Sequence, residues 1–199
     1  MENFTHPNAV VNALLNHRST PAGLLEEPAP AGDDLNTILQ CGLSAPDHAA
    51  VQPWRFITIE GEARHRLGEV FVQAKQQDEP DFPDDKAKLL RAKPLRAPLI
   101  VAVVADVTEG HVKAPRVEQV LSAGVAAQHM QIAARALGFG SVWLTGPMAR
   151  HDVVKKALGL ADADELVGFL YFGTPAKDPP ARPRSAPKEF SASWTGQSS

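Results

Sequence analysis

The stretch that decides the fold is an apolar run in the middle of the chain, Pro98-Leu99-Ile100-Val101-Ala102-Val103-Val104-Ala105. No polar residue interrupts it, and its β-branched side chains are typical of strands. A strand that is apolar at every position buries both of its faces. We therefore expect this run to form the central strand of a sheet.

Helices and strands alternate on either side of this run. Apolar and polar residues alternate over 54–60, which predicts a strand, and two further strands are expected at 141–144 and 166–172. Helices are predicted at 9–17, 62–77, 84–92, 116–137 and 150–158. One more helix, capped by Asp33 or Asp34, carries Leu35, Ile38, Leu39 and Leu43 on one side.

Composition limits the class of protein. With 199 residues, 44% of them hydrophobic, the chain suits one globular domain, and a net charge of −3 gives no electrostatic footprint for nucleic acid. No signal peptide or apolar run long enough for a membrane span is visible, and Cys41 is the only cysteine. We expect a cytoplasmic protein in which Cys41 is a plain buried thiol.

Two segments have unusual composition. The helix predicted at 116–137 is rich in alanine and glycine, so another backbone can approach it closely. This is equally compatible with a core helix of a monomer and with a helix packed against a second copy. From Thr174 onward the chain is rich in proline, which predicts an extended tail that either dangles or wraps a partner.

The segment 45–54 is the best candidate for a site. Pro46 and Pro53 stiffen it, and it holds Asp47 and His48 between a helix and a strand. The seven histidines have no metal-ligand spacing and no nucleophile-elbow motif occurs, so neither a zinc site nor a serine hydrolase is supported. His48 therefore either hydrogen-bonds a ligand or only fixes the turn.

Two weaker signals flank that loop. His17, Arg18 and Ser19 follow the first helix, where they fit either an anion site or an ordinary helix end. The segment 138–147 is a helix end, a strand and a helix start, in which Thr145 and free amides could hold an anion or a ring edge, or in which Trp143 simply fills the core.

Taken in order along the chain, these motifs form a recognisable set: Arg-Ser after the first helix, Ala-Pro-x-His-x-x-x-Gln-Pro-Trp at 45–54, and Gly-Phe-Gly-x-x-Trp-x-x-Gly at 138–146. The chain resembles the nitroreductase family of FMN-dependent oxidoreductases, and most closely its small YdjA-type members. The resemblance extends over 9–175 and implies an α+β fold, with a central, mostly antiparallel sheet flanked by helices, in an intertwined homodimer. It divides the chain into an FMN-binding domain, 1–175, and a proline-rich extension, 176–199.

The resemblance also implies which residues bind FMN at the subunit interface. His17, Arg18 and Ser19 would come from one subunit, with Arg18 near the flavin ring, and Ser44 and His48 from the other. Trp143, Leu144 and Thr145 would line the flavin on its own side.

The implied chemistry passes a hydride from NADH or NADPH through flavin N5 to an electrophilic acceptor, such as a nitroaromatic or a quinone, by ping-pong kinetics. No protein acid or base and no metal is required, since the flavin carries the redox chemistry. The alternatives are a flavin enzyme with a non-nitro substrate and a flavin-binding dimer that has lost reductase activity.

Three positions depart from the family pattern: His17, Ser44 and Leu144 stand where arginine is common in the family or in its closest relatives. These departures remove positive charge from the expected phosphate pocket. Arg182 or Arg184 on the tail could supply the missing charge, which we state as a hypothesis.

Overall fold

The central strand lies where the sequence predicts it. In the computed structural model, which describes residues 6–180 and 184–196, β3 (Leu99–Ala105) is buried at every position. It pairs antiparallel with β2 (Arg55–Glu60) on one side and with β5 (Glu165–Pro175) on the other. The prediction of a strand buried on both faces is confirmed.

The sheet is antiparallel in every pairing among the described residues. Beyond β5 the sheet continues with two short strands, β4 (Gly140–Leu144) and β1 (Leu25–Glu26), which pair with successive parts of β5. β4 is thus an edge strand, and one of its sides is available to other elements.

Helices cover both faces of the sheet, as the alternation of side chains along β3 requires. Leu99, Val101 and Val103 pack in one core beneath α2 (Gly32–Gly42) and α5 (Arg116–Ala136). The other core lies on the opposite face, where Ile100, Ala102 and Val104 meet the remaining helices. Those helices are α3 (Glu62–Asp78), α4 (Asp84–Arg91) and α6 (Asp152–Ala157). The predicted α+β class is therefore confirmed.

Some local predictions need correction. The cap of α2 is Ala31 and not Asp33 or Asp34, which lie in the first turn, where their charge complements the helix dipole. Cys41 is half-buried rather than fully buried, and it borders a surface groove together with other residues of α2. The two-residue strand β1 was not predicted, since so short a segment has no periodicity to read.

The apolar surface of the chain is concentrated on two helices and the tail. α1 (Ala9–Asn16) buries none of its residues, and Val10 and Leu14 are 66% and 51% exposed. Along α5, Val117 and Leu121, one turn apart, are 60% and 63% exposed. No helix in the described ranges is long and apolar enough to cross a bilayer.

Candidate functional site

The segment after α1 is fixed against the edge strand. The backbone amide of Thr20 donates to the carbonyl of Ser141 at 2.8 Å, and the Thr20 side chain is 1% exposed. Gly140 allows this approach, because a Cβ there would lie 2.9 Å from the Thr20 hydroxyl oxygen. This anchor places residues 17–19 beside β4.

A cavity of about 420 Å³ opens at this junction. Its walls come from the end of α1, from β4 and from the C-terminal tail, and its lining residues are His17, Arg18, Ser19, Pro21, Val142, Pro179, Pro180 and Arg184. The three consecutive residues predicted as a binding segment therefore share one cavity.

The tail forms one wall of this cavity and adds a cation to it. Arg184 donates from Nη2 to the carbonyl of His17 at 2.8 Å. Earlier along the tail, Asp178 accepts a hydrogen bond at 2.9 Å from Arg135 of α5. The hypothesis for Arg184 thus has a structural basis, whereas Arg182 lies outside the described residues.

The cavity is strongly electropositive. Burial lowers the pKa of His17, and the positive charges of Arg184, Arg135 and Arg18 lower it further. The pKa of Arg18 is also lowered, first by desolvation and then by Arg184. Burial and the neighbouring positive charges each disfavour the protonated forms of these side chains.

Two buried nitrogen atoms beside this cavity lack hydrogen-bond partners among the described residues. Arg18 donates from Nη1 to the carbonyls of Leu15 and His17, at 3.1 and 2.8 Å. Its Nε and the Nδ1 of His17 are buried and have no hydrogen-bond partner among the described residues. Because buried polar groups normally find partners, the cavity is suited to an anion with several oxygens, such as a phosphate.

The remaining predicted residues of this side lie on and after β4. Trp143 packs into the core between α5 and β5, and its Nε1 donates to the carbonyl of Val167 at 3.2 Å. A Cβ at Gly168 would collide with the indole, so that glycine makes room for it. Leu144 packs against the opposite core, and Thr145 is exposed at the strand end. Of this group, only Thr145 turns its side chain to solvent.

Ser44 lies elsewhere, at the end of α2. Its hydroxyl donates to the carbonyl of Cys41 at 2.7 Å and lies 3.2 Å from Nδ1 of His129 on α5. It borders a shallow surface groove formed by the exposed side of α2. Ser44 does not line the cavity beside β4.

His48 is also apart from that cavity, on a loop with an unusual backbone. Ala49, Ala50 and Gln52 adopt positive φ angles of 64°, 54° and 54°, which non-glycine residues rarely do. The His48 side chain is 58% exposed, and its Nδ1 lies 2.6 Å from Oε2 of Glu118 on α5. The structure therefore separates Ser44 and His48 from the segment 17–19 of the same chain.

Sequence reasoning missed three contributors. Arg135 acts on His17 through space, Val142 lines the cavity, and Glu118 contacts His48. Each is distant in sequence from the residue it serves, and no local pattern marks it. No group of three or more His, Cys, Asp or Glu side chains suited to a metal occurs in the described part of the chain.

Comparison with known proteins gives the family. The model of the nitroreductase family matches residues 15–174. The chain is 49% identical over 163 residues to "Putative NAD(P)H nitroreductase YdjA" of Escherichia coli (strain K12), an overlap that covers 81% of this chain and 86% of that protein.

Solved structures have the same fold. A nitroreductase-like family protein from Bacillus cereus superposes with a TM-score of 0.81 at 22% identity, covering 97% of this chain and all of that one. A "putative nitroreductase in complex with fmn" from Desulfovibrio desulfuricans has a TM-score of 0.68 at 23% identity and covers 92% of this chain and 96% of its own. The match to the family model and the identity to YdjA lead to one conclusion: the chain belongs to the nitroreductase family.

Proposed function

We propose that this protein is an FMN-dependent oxidoreductase that uses NADH or NADPH to reduce an electrophilic acceptor. The observation that carries the proposal is the cationic cavity beside β4, where Arg18 and His17 have buried nitrogen atoms without hydrogen-bond partners among the described residues. Family membership and the relatives described as NAD(P)H nitroreductases support the same assignment.

In this proposal the cavity receives the phosphate end of FMN. His17 and Ser19 would contact the phosphate and the ribityl chain, Arg18 would lie nearer the flavin ring, and Arg184 would bring a further charge from the tail. The guanidinium of Arg184 offsets the arginine that His17 replaces. An anion there would satisfy the unpartnered donors and relieve the mutual repulsion of the cations.

The flavin ring would lie along the edge strand, toward Thr145. FMN supplies hydride chemistry when bound, and the chain supplies binding, orientation and charge. Arg18 also neutralises negative charge near the reduced ring, since its guanidinium is always protonated near neutral pH. The backbone of Trp143 and Leu144 would line the ring on this side, because the Trp143 side chain packs in the core.

The other half of the site would come from a second copy of the chain. Ser44 and His48 lie outside the cavity of their own chain, and α1 and α5 present apolar side chains to solvent. An interface across α5 would bury that apolar surface and bring His48 of each chain to the cofactor of the other. The tail could extend this interface, since Trp194 is 88% exposed.

The finer parts of the proposal concern kinetics and organisation. We propose that the nicotinamide and the acceptor, a nitroaromatic or a quinone, use the same open face in turn, which gives ping-pong kinetics. We propose that residues 1–175 form the cofactor-binding domain and that residues 176–199 are an extension. A cytoplasmic location stays a prediction of the sequence.

The spectrum of the purified full-length protein tests the proposal. We expect a yellow protein with flavin absorbance that bleaches under anaerobic NADH or NADPH and recovers on adding a nitroaromatic or quinone. Parallel double-reciprocal plots would support the ping-pong order. A colourless protein that does not bind added FMN would contradict the whole assignment.

A further inference from the structure

One ion pair outside the cavity joins two elements that are far apart in sequence. Nδ1 of His48 lies 2.6 Å from Oε2 of Glu118, across 70 residues of sequence. The side chains are 58% and 42% exposed, so neither one is buried by the fold of its own chain. An exposed ion pair of this kind contributes little to the stability of the fold. Stability therefore does not explain why His48 and Glu118 are held together.

The loop that carries His48 is held rigidly on its own side. The Asp47 carboxylate accepts hydrogen bonds from the amides of Val51 and Gln52, at 3.0 and 2.7 Å. Between them the backbone passes through the left-handed region at Ala49 and Ala50. Conformations of this kind persist only when surrounding contacts enforce them, and they cluster at functional sites.

Glu118 is held as firmly on the other side. The next residue, Gln119, is 1% exposed. Its side-chain amide accepts a hydrogen bond from the backbone amide of Thr108 at 2.8 Å and donates to the carbonyls of Thr108 and Ala114, at 2.9 and 2.8 Å. These bonds fix the first turn of α5, from which Glu118 projects. The ion pair therefore joins two preorganised elements.

The contact also determines which ring atom of His48 is available. A carboxylate can only accept a hydrogen bond, so Nδ1 carries the hydrogen that points at Glu118. Nε2 is then the ring nitrogen left for a ligand, and it has no hydrogen-bond partner among the described residues. The carboxylate fixes both the orientation and the tautomer of the imidazole, as such partners do for histidines in other sites.

We propose that Glu118 is a positioning residue that orients His48 toward the cofactor and acceptor. The inference rests on the proposed function, because it assigns His48 to that site. Glu118 touches neither ligand and acts only through the imidazole. Replacing Glu118 should therefore lower FMN affinity or kcat/KM only when His48 is present.

A double-mutant cycle on the full-length protein, FMN-free for the affinity measurement and FMN-loaded for turnover, tests this dependence. The variants are Glu118→Gln, His48→Ala and the pair together, with FMN affinity from fluorescence quenching and kcat/KM for a quinone acceptor as readouts. We expect Glu118→Gln to lower affinity or kcat/KM by roughly three- to tenfold, the size typical of the net contribution of one hydrogen bond. In the His48→Ala background the same change should have no further effect.

Controls separate positioning from stability. Glu165→Gln removes another half-exposed carboxylate, one that pairs with Arg116 at 2.7 Å, and should leave both readouts unchanged. Glu118→Asp keeps the charge and should recover part of the loss. Equal melting temperatures for all variants would exclude unfolding as the cause.

The outcomes distinguish the two proposals. Wild-type behaviour of Glu118→Gln, an equal loss in the His48→Ala background, or no effect of His48→Ala would overturn the role of Glu118 while leaving the oxidoreductase assignment intact. A wild-type protein that binds no FMN would overturn the proposed function and the role of Glu118 with it.

Discussion

The cavity beside β4 and the loop around His48 differ in how much of a site one chain provides. At the cavity, burial and the charges of Arg184 on the tail, Arg135 on α5 and Arg18 after α1, all of one chain, lower the pKa of His17. At the loop, one chain supplies a rigid frame and an oriented imidazole whose Nε2 has no partner among the described residues. The difference teaches that, in the proposed site, one chain would build the anion-binding end and would only present the other end to a second copy.

The largest effect is expected from preventing the second copy from binding. Leu121→Glu places a carboxylate in the exposed apolar stripe of α5. An unpaired charge buried at an interface costs about 3–5 kcal/mol, a weakening of at least a hundredfold. Light scattering after size exclusion should report a monomer with poor FMN binding. Leu89→Glu is the control, because Leu89 is 73% exposed on α4 and its replacement should leave the dimer intact. A dimeric Leu121→Glu protein would show that α5 does not lie at the interface.

Arg18→Ala tests the cavity beside β4, which is the part of the proposed site that one chain completes. A charge-assisted hydrogen bond contributes about 1.5–3 kcal/mol, so FMN affinity should fall by roughly thirtyfold while the oligomeric state is kept. Fluorescence quenching gives the affinity. Arg66→Ala, at an exposed arginine on α3, should bind FMN normally. Equal affinity in the two variants would show that the cavity does not bind the cofactor.

The sequence predicted most of the fold because its signals are local. The apolar run of β3 and the small-residue pattern of α5 each extend over enough residues to identify the element. The residues of segment 17–19 are adjacent in sequence and line the same cavity, and their role in binding FMN stays a prediction.

What the sequence could not give depends on contacts between distant segments. Arg184 reaches the carbonyl of His17 across 167 residues, and a proline-rich tail has no periodicity that could indicate its path. The side chain of Trp143 lies in the core because Gly168 leaves space above β5, which only the register of the two strands determines. Glu118 on its helix looks like any solvated acidic residue until His48 is placed beside it.

A smaller effect is expected from the tail. Arg184→Ala removes one charge from a partly open cavity, and FMN affinity should fall by about tenfold, or ~1.4 kcal/mol. Lys188→Ala removes an exposed charge from the same tail and is the matched control. Arg182→Ala completes the series. Unchanged affinity in both arginine variants would contradict the idea that the tail compensates for His17.

The smallest effect concerns pH. The pKa of His17 is lowered by burial and by three arginines, and a bound phosphate would offset the repulsion and raise that pKa. Binding should then take up a proton, so the His17 contribution to affinity grows as the pH falls from neutral to mildly acidic. The measurement compares FMN affinity across this pH range in wild type and in His17→Gln. Protonation of the FMN phosphate opposes the trend, but it affects both proteins equally. Identical pH profiles of FMN affinity would mean that protonation of His17 is not coupled to phosphate binding.

The most direct test of the central claim is a heterodimer of one Arg18→Ala chain and one His48→Ala chain, isolated with two different affinity tags. If each cofactor site takes Arg18 from one chain and His48 from the other, one site of the heterodimer contains both changes and the other contains neither. The account predicts one FMN bound per dimer with wild-type affinity, and half of the wild-type turnover. A heterodimer with no site of wild-type affinity would mean that each site is built within a single chain, and would contradict the account.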